Sequence, residues 1–386
     1  MRRNRQWIQR GCRNLSDIAL FSASSGNLAF DFQMLPAAPS HRILIVSDAW
    51  QPQVNGVVRT LTTVAGELRD MGHVVEVIGP DRFRTIPCPT YPDISLSLLP
   101  RRRLVRMIEA FNPDALHIAT EGPLGLAARG WAKRTGFRFT TAFHTRFAEY
   151  VQARTGLPVR PIYAWMRRFH GAGAGMMVAT QSLREDLTAR GFRNIRDWSR
   201  GVDLELFKPH VKALDQQPDA MREDWGLPGP IFLYVGRVSV EKNIAAFLDL
   251  DLPGSKVVVG GGPQLASLKR DYPGVHFTGP RHGEALARAY AGGDVFVFPS
   301  LTDTFGLVIL ESLACGTPVA AFPVTGPKDV LANAAGKIGS VNKDLRVAAL
   351  DALDGDRAAC RAHAERYSWR ACAEMFLSHL VPINGD

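Results

Sequence analysis

A chain of 386 residues is longer than one hydrophobic core usually serves, so two domains of ordinary size are expected. Its 46% hydrophobic and 22% charged residues exclude extensive disorder, and 46 basic against 37 acidic side chains, a net charge of +9, point to an anionic partner such as phosphate, nucleic acid or a lipid headgroup surface. No apolar run approaches the roughly 18 residues needed to cross a bilayer, and Cys12, Cys88, Cys315, Cys360 and Cys372, odd in number and without C-x-x-C spacing, argue against a structural zinc or a disulfide framework and for a reducing cytosol.

Residues 1–40 carry Arg2, Arg3, Arg5, Arg10 and Arg13 but neither strand nor helix periodicity, and their apolar run at 18–21 is too short for a secretory signal. They are expected to form an extension outside the fold, poorly ordered or preceding a true start at Met34. From there strands and helices alternate. Residues 42–47 (RILIVS), 74–79, 115–119, 139–143 and 175–180 read as strands, and 56–71, 101–111, 161–170 and 182–190 as helices. The polar stretch 211–224 reads as a linker. The pattern then restarts with strands at 231–235 (IFLYV), 256–259, 275–278, 294–298 and 318–321, and with helices from Glu241, Gln264, Gly283 and about Phe305. Such alternation builds parallel sheets covered on both faces, which bind ligands at the carboxyl ends of their strands. The fold class is therefore α/β, with two Rossmann-like doubly wound domains facing each other across a cleft. The predicted division is 1–40, 41–210, 211–366 and 367–386.

Four clusters fall at predicted strand ends. In DAWQPQVNGVVRT, Gly56 opens a helix whose free N–H groups suit a phosphate, although an Asn-Gly turn is equally consistent. His144, within TTAFHTRF, is placed to face the cleft and to position a hydroxyl or a developing positive charge, or else is structural. In YVGRVSVEKN, Arg237 follows a strand and Lys242 falls in the first turn of a helix, an unfavourable place for a cation unless an anion such as a diphosphate lies between, or unless its head is solvated. In FPSLTDTFGLVILESLACGTP, Asp303 lies just ahead of a helix and Glu311 nearly two turns inside it, so both carboxylates can face the cleft and hold vicinal hydroxyls; the alternative is a helix cap and a surface acid.

In that order, with WSRGVDLELFKP between the second and third, these segments resemble the family 4 retaining glycosyltransferases of GT-B fold. The branch is the one that includes GDP-mannose-dependent α-mannosyltransferases and sulfoquinovosyl-, glucosyl- and glucuronosyl-diacylglycerol synthases. The resemblance runs from Arg42 to about Leu380. It implies an N-terminal acceptor domain, a C-terminal nucleotide-sugar domain and a terminal helix, 367–380, that returns to the first domain. It also implies that Gly56 lies at the donor phosphates, Arg237 and Lys242 bind the diphosphate, Glu311 holds the ribose, Asp303 contacts the hexose, and Thr304, Phe305, Gly306 and Leu307 line the donor. His144 would stand beside the transfer centre, and Arg200, Gly201 and Asp203 near the hinge. Two departures stand out: Asp303 replaces the first acid of the family's E-x7-E, and Gly260-Gly261-Gly262-Pro263 replaces G-D-G-P.

The expected reaction is hexosyl transfer from a nucleotide-sugar, a UDP-sugar first, to a lipid such as diacylglycerol, by front-face attack in which the leaving phosphate takes the acceptor proton. Arg237 and Lys242 would stabilise that phosphate without a metal or other cofactor; Asp249 and Asp251, an Asp-x-Asp pair, follow a helix. Arg101, Arg102, Arg103, Trp165, Arg167 and Arg168 mix cations with apolar residues and are expected at the acceptor or an anionic membrane surface, on the cytoplasmic face of the plasma membrane; solvated or core-packing faces are the alternative. GDP-mannose transfer to a glycan or glycolipid is the second expectation. Of other classes, an epimerase, a phosphorylase or a non-catalytic binder is considered. No RNA-binding signature supports a nucleic-acid partner, and no G-x-G-x-x-G follows the first strand as in a dehydrogenase.

Overall fold

The computed structural model describes residues 40–381 apart from 54, 89, 90 and 210–224. The expected extension and linker thus lie almost wholly outside the described residues. The first sheet contains β1 (Arg42–Val46), β2 (Val74–Ile78), β5 (Ala115–Ile118), β6 (Phe139–Ala142), β7 (Gly175–Val178) and β8 (Ile195–Asp197), all parallel, in the order β2-β1-β5-β6-β7-β8. The second contains β9 (Ile231–Val235), β10 (Ser255–Val259), β11 (His276–Gly279), β12 (Val295–Phe298), β13 (Val319–Ala321) and β14 (Gly339–Val341), again all parallel, in the order β11-β10-β9-β12-β13-β14. In each sheet the order reverses beside its first strand, and a crevice opens at the carboxyl ends there. β9, IFLYV, is buried along its whole length, as a central strand covered on both faces must be.

Helices α1 (Gly56–Asp70), α2 (Arg101–Phe111), α3 (Pro123–Thr135), α4 (Phe147–Thr155), α5 (Val159–His170) and α6 (Gln181–Ala189) belong to the first half. The second half carries α7 (Ala245–Leu248), α8 (Leu265–Asp271), α9 (Gly283–Ala291), α10 (Leu307–Ala314), α11 (Thr325–Val330), α12 (Leu345–Asp351), α13 (Arg357–Ala364) and α14 (Trp369–His379). Asn55 caps α1 by accepting from Val57 N and Val58 N, both at 3.0 Å. The buried residues Val58, Leu61, Val64, Ala65 and Leu68 then recur at helical spacing along one face.

Several elements depart from the sequence expectation, which also held no counterpart for β8, β14 and helices α11–α13. Residues between β2 and α2 form an antiparallel hairpin, β3 (Thr85–Cys88) with β4 (Tyr91–Ser97), where Pro87 and Pro92 had masked any alternation. The glycines of α3, and the short α4, weakened their helical signal. The helix expected from Glu241 is instead a 3-10 turn, Val240–Lys242, ended by Asn243 in the left-handed region at φ 52°.

The chain crosses between the halves twice at one place. Val202 pairs with Ser368, and Val202 N donates to Tyr367 O at 2.9 Å. The backbones approach so closely at Gly201 that a Cβ there would lie 2.6 Å from Trp369 Cα. Beyond this point α14 joins the first half: Trp369, Cys372, Ala373 and Phe376 share a core with Ile43, Leu61, Val64 and Trp198. Trp198 Nε1 donates to Cys372 O at 3.2 Å, and Arg196 Nη1 to His379 O at 2.8 Å.

Candidate active site

The loop after β12 gathers most of the expected donor residues. Lys242 Nζ donates to both oxygens of Asp303, at 2.7 and 2.8 Å. This corrects the placement of Lys242 in the first turn of a helix: it ends a single 3-10 turn, and the anion beside it is a carboxylate of the chain itself. Burial lowers the pKa of Lys242, but the Asp303 charge, the Tyr150 phenol from α4 and Glu241 outweigh that, and its ammonium is held above its ordinary value. An ammonium has three donors, so Asp303 leaves capacity for a further oxygen. Arg237 follows β9, and its carbonyl accepts from Tyr234 OH at 2.8 Å.

Helix α10 starts at Leu307, later than expected, because Gly306 sits at its N-cap with φ 86°. Phe305 is buried at 5% exposure, Thr304 is half-buried, and a Cβ on Gly56 would lie 3.6 Å from Leu307 Cδ1. Gly56 therefore opens α1 opposite the start of α10, across the gap between the halves. Glu311 is 2% exposed, so the alternative of a surface acid is excluded. Its Oε2 accepts from Tyr290 OH at 2.9 Å, and its Oε1 pairs with Arg59, which reaches over from α1 with its guanidinium 5.5 Å from the Phe207 ring. Burial and the Glu311 charge push the Tyr290 phenol well above its ordinary pKa, so it remains a donor.

His144 lies just past β6, and its carbonyl accepts from Thr304 Oγ1 at 2.8 Å, a second bond across the gap. Ser182, in α6, and Asp329, in α11, form a third, with Ser182 N donating at 2.7 Å. Burial first, then the charge of Arg200 and the neighbouring His117 and His170, hold the His144 imidazole well below its ordinary pKa. The ring is neutral.

Asp48, in the first cluster, turns away from this group. It caps α3, accepting from Leu124 N at 2.8 Å, Gly125 N at 3.2 Å and Thr120 Oγ1 at 2.9 Å. The glycine run has a packing reason: Gly260 has φ 151°, and a Cβ there would lie 1.8 Å from Gly236 O. Arg101, Arg102 and Arg103 are exposed at the start of α2, and Trp165, Arg167 and Arg168 are exposed on α5. Among the described residues no group of three or more His, Cys, Asp and Glu side chains is placed to hold a metal ion.

Sequence reasoning missed Arg59 and Tyr290. Arg59 falls three residues after Gly56 and so on nearly the same helical face, a signal that was available. Tyr290 lies in an apolar run that gives no hint of its hydroxyl's partner.

The family described as Glycosyltransferase Family 4 matches residues 54–206, and the one described as Glycosyl transferases group 1 matches residues 229–353. The chain is 32% identical over 312 residues to a GDP-mannose-dependent alpha-mannosyltransferase of Mycobacterium tuberculosis, covering 75% of this chain and 81% of that protein. It is 28% identical over 313 residues to the alpha-monoglucosyldiacylglycerol synthase of Streptococcus pneumoniae, covering 72% and 70%. The crystal structure of Anabaena Alr3699/HepE in complex with UDP and glucose superposes with a TM-score of 0.64 at 14% identity, covering 88% of this chain and 98% of that one; this likeness shows the fold.

Proposed function

Since the chain belongs to the family 4 glycosyltransferases, with the two Rossmann-like halves of the GT-B fold, we propose that it transfers a hexose from a nucleotide-sugar to a lipid such as diacylglycerol, retaining the anomeric configuration. The observation that carries the reading is that Gly56 and Arg59, in the first turn of α1, meet Leu307 and Glu311 of α10, while Lys242 pairs with Asp303 in the segments that follow β9 and β12. In this reading Arg237 and Lys242 take the diphosphate, Glu311 the ribose and Asp303 the hexose, with Thr304, Phe305, Gly306 and Leu307 along the donor.

Breaking the sugar–phosphate bond leaves negative charge on the departing diphosphate. A preorganised donor aimed at such charge is worth roughly 3–4 kcal/mol in the transition state. Two cations suffice for a metal-independent reaction, and the departing phosphate takes the acceptor proton, so no nucleophile of the chain is needed. Full activity after chelation of divalent ions is the expected result.

The lipid acceptor is supported by the likeness to a diacylglycerol glucosyltransferase and by the surface of the first half. There Leu98 and Leu99, 46% and 95% exposed, precede the arginines of α2, and Trp165 is exposed among those of α5. Apolar side chains beside cations suit an anionic membrane, with each basic residue contributing about 1 kcal/mol near the surface. In this reading the protein acts peripherally on the cytoplasmic face of the plasma membrane. A UDP-hexose is the first donor reading; GDP-mannose is the second, favoured by the likeness to a GDP-mannose-dependent enzyme. Mass spectrometry of lipid extracts from cells expressing the protein tests the acceptor; the two donors, whose hexoses are isomers of equal mass, are told apart by which of UDP-hexose and GDP-mannose the purified protein consumes. New hexosyl-diacylglycerol is expected. An unchanged lipid profile, with sugar added instead to a soluble glycan, would remove the lipid assignment.

A further inference from the structure

Arg200 is 5% exposed, and among the described residues no carboxylate lies within ion-pair distance of it. A buried cation without a carboxylate partner costs stability, several kcal/mol in real proteins. What Arg200 does with its donors is therefore informative. Nη1 donates to Trp198 O at 2.6 Å and Ser199 O at 3.0 Å, and the guanidinium lies 4.3 Å from the Trp198 ring centroid. Nη2 lies 3.4 Å from His144 Nδ1.

A guanidinium has donors only, so Nδ1 of His144 must accept. A neutral ring accepting at Nδ1 carries its one proton on Nε2. That Nε2 is buried and has no hydrogen-bond partner among the described residues. A buried donor left unmade costs about 1–3 kcal/mol, a cost that an oxygen supplied by a ligand removes. His117 Nε2 is likewise unpartnered, but its ring is packed in the core at 4.8 Å from Phe376 and 5.9 Å from Trp198. His144 instead stands at the carboxyl end of β6, its backbone tied across the gap by Thr304.

We propose that Arg200 is a positioning residue that fixes His144 as a neutral imidazole with its proton on Nε2, so that His144 meets an oxygen of the nucleotide-sugar or its acceptor as a hydrogen-bond donor and not as a base. The substrate half of this inference rests on the glycosyltransferase reading; the tautomer does not. The charged and titratable groups that face the ring are Arg200, His117 from β5 and His170 from α5. His170 itself contacts Glu121 Oε1 at 3.0 Å.

The test is nitrogen NMR of the full chain labelled in its histidine rings, with His144 assigned by a His144→Gln variant. In the wild type His144 is expected to show an unprotonated Nδ1 and a protonated Nε2 that do not change between pH 5.5 and 8. In Arg200→Met the ring stays neutral because it is buried, but its proton is no longer confined to Nε2, so a fraction of Nδ1-protonated rings is expected; kcat falls on the order of 100-fold, while KM for the donor changes little. Arg200→Lys restores part of the rate. A wild-type His144 with its proton on Nδ1, or one titrating near 6.5, would overturn the proposal. So would an Arg200→Met protein whose tautomer and kcat are unaltered. Should Arg200→Met not fold, the wild-type spectrum and Arg200→Lys decide alone, and neither spectrum depends on the identity of the donor.

Discussion

Two carboxylates dominate the site at the scale of single residues, and each is already engaged within the protein: Asp303 by Lys242, and Glu311 by Arg59 and Tyr290. In the proposed reading a sugar nucleotide bound there would meet side chains held in place beforehand, which is the condition for electrostatic stabilisation of a leaving group. Lys242→Ala should lower kcat/KM by about 100- to 1000-fold, and Glu311→Ala should also reduce turnover by orders of magnitude. For Lys242→Ala an unchanged circular dichroism spectrum would separate chemistry from folding, and near-wild-type transfer by both variants would contradict the site. Lys242 and Asp303 could be singled out because each lies in a segment that follows a strand, and Glu311 because it falls among apolar residues of the helix behind Asp303. Their pairings could not. The contact between Lys242 and Asp303 joins two loops 61 positions apart, and that between Arg59 and Glu311 spans 252, distances at which periodicity carries no information.

At the scale of elements, α1 could be read to within a residue because cap, amphipathic face and terminus agree: Asn55 caps it, buried residues recur along one face, and Gly72 follows with φ 88°. The β3–β4 hairpin and the 3-10 turn at Lys242 were illegible, since prolines hide the first and a single left-handed Asn243 decides the second. The return of α14 to the first half came from family likeness, and packing explains it. Phe376 is fully buried, with its ring 4.8 Å from that of His117 and 4.9 Å from that of Trp198. Phe376→Ala should therefore cost about 3–5 kcal/mol in urea unfolding; a loss below 1 kcal/mol would show that α14 is only loosely attached. Gly260→Ala acts on a different element. Its Cβ would collide with Gly236 O, one residue before Arg237, so donor KM should rise with little change in the rest of the fold.

For the whole molecule, two buried groups impose opposite pH dependences on stability. Burial, then the Arg200 charge, lowers the pKa of His117 from 6.5 to about 3. The unfolded chain therefore binds a proton below 6.5 that the folded chain refuses, and stability is lost as pH falls through that window. Burial raises Asp48 from 3.8 to about 6 against its three hydrogen bonds, so its contribution is greatest below 3.8 and is lost as pH rises towards 6. His117→Gln isolates the first effect. The stability difference between wild type and this variant should shift by about 2 kcal/mol against the wild type on going from pH 7 to 5, and a difference independent of pH would contradict the neutral burial of His117. The two-sheet plan was readable from alternating strands and helices except at one edge of each sheet, where β8 and β14, of three residues each, were not expected. Which surface meets the acceptor was not, because exposed arginines serve solvent and membrane equally well in a sequence; sedimentation with anionic vesicles should carry the protein down at low salt and release it at high salt.

The central claim is retaining transfer from a nucleotide-sugar gripped between the halves. Its most direct measurement uses purified protein, anionic vesicles containing diacylglycerol, and isotopically labelled UDP-hexose or GDP-mannose, with NMR of the anomeric centre of the product. The account predicts a hexosyl lipid in the α configuration, the configuration of the donor, with one nucleoside diphosphate released per sugar moved. An inverted anomeric centre, or an isomerised donor with no sugar transferred, would contradict it.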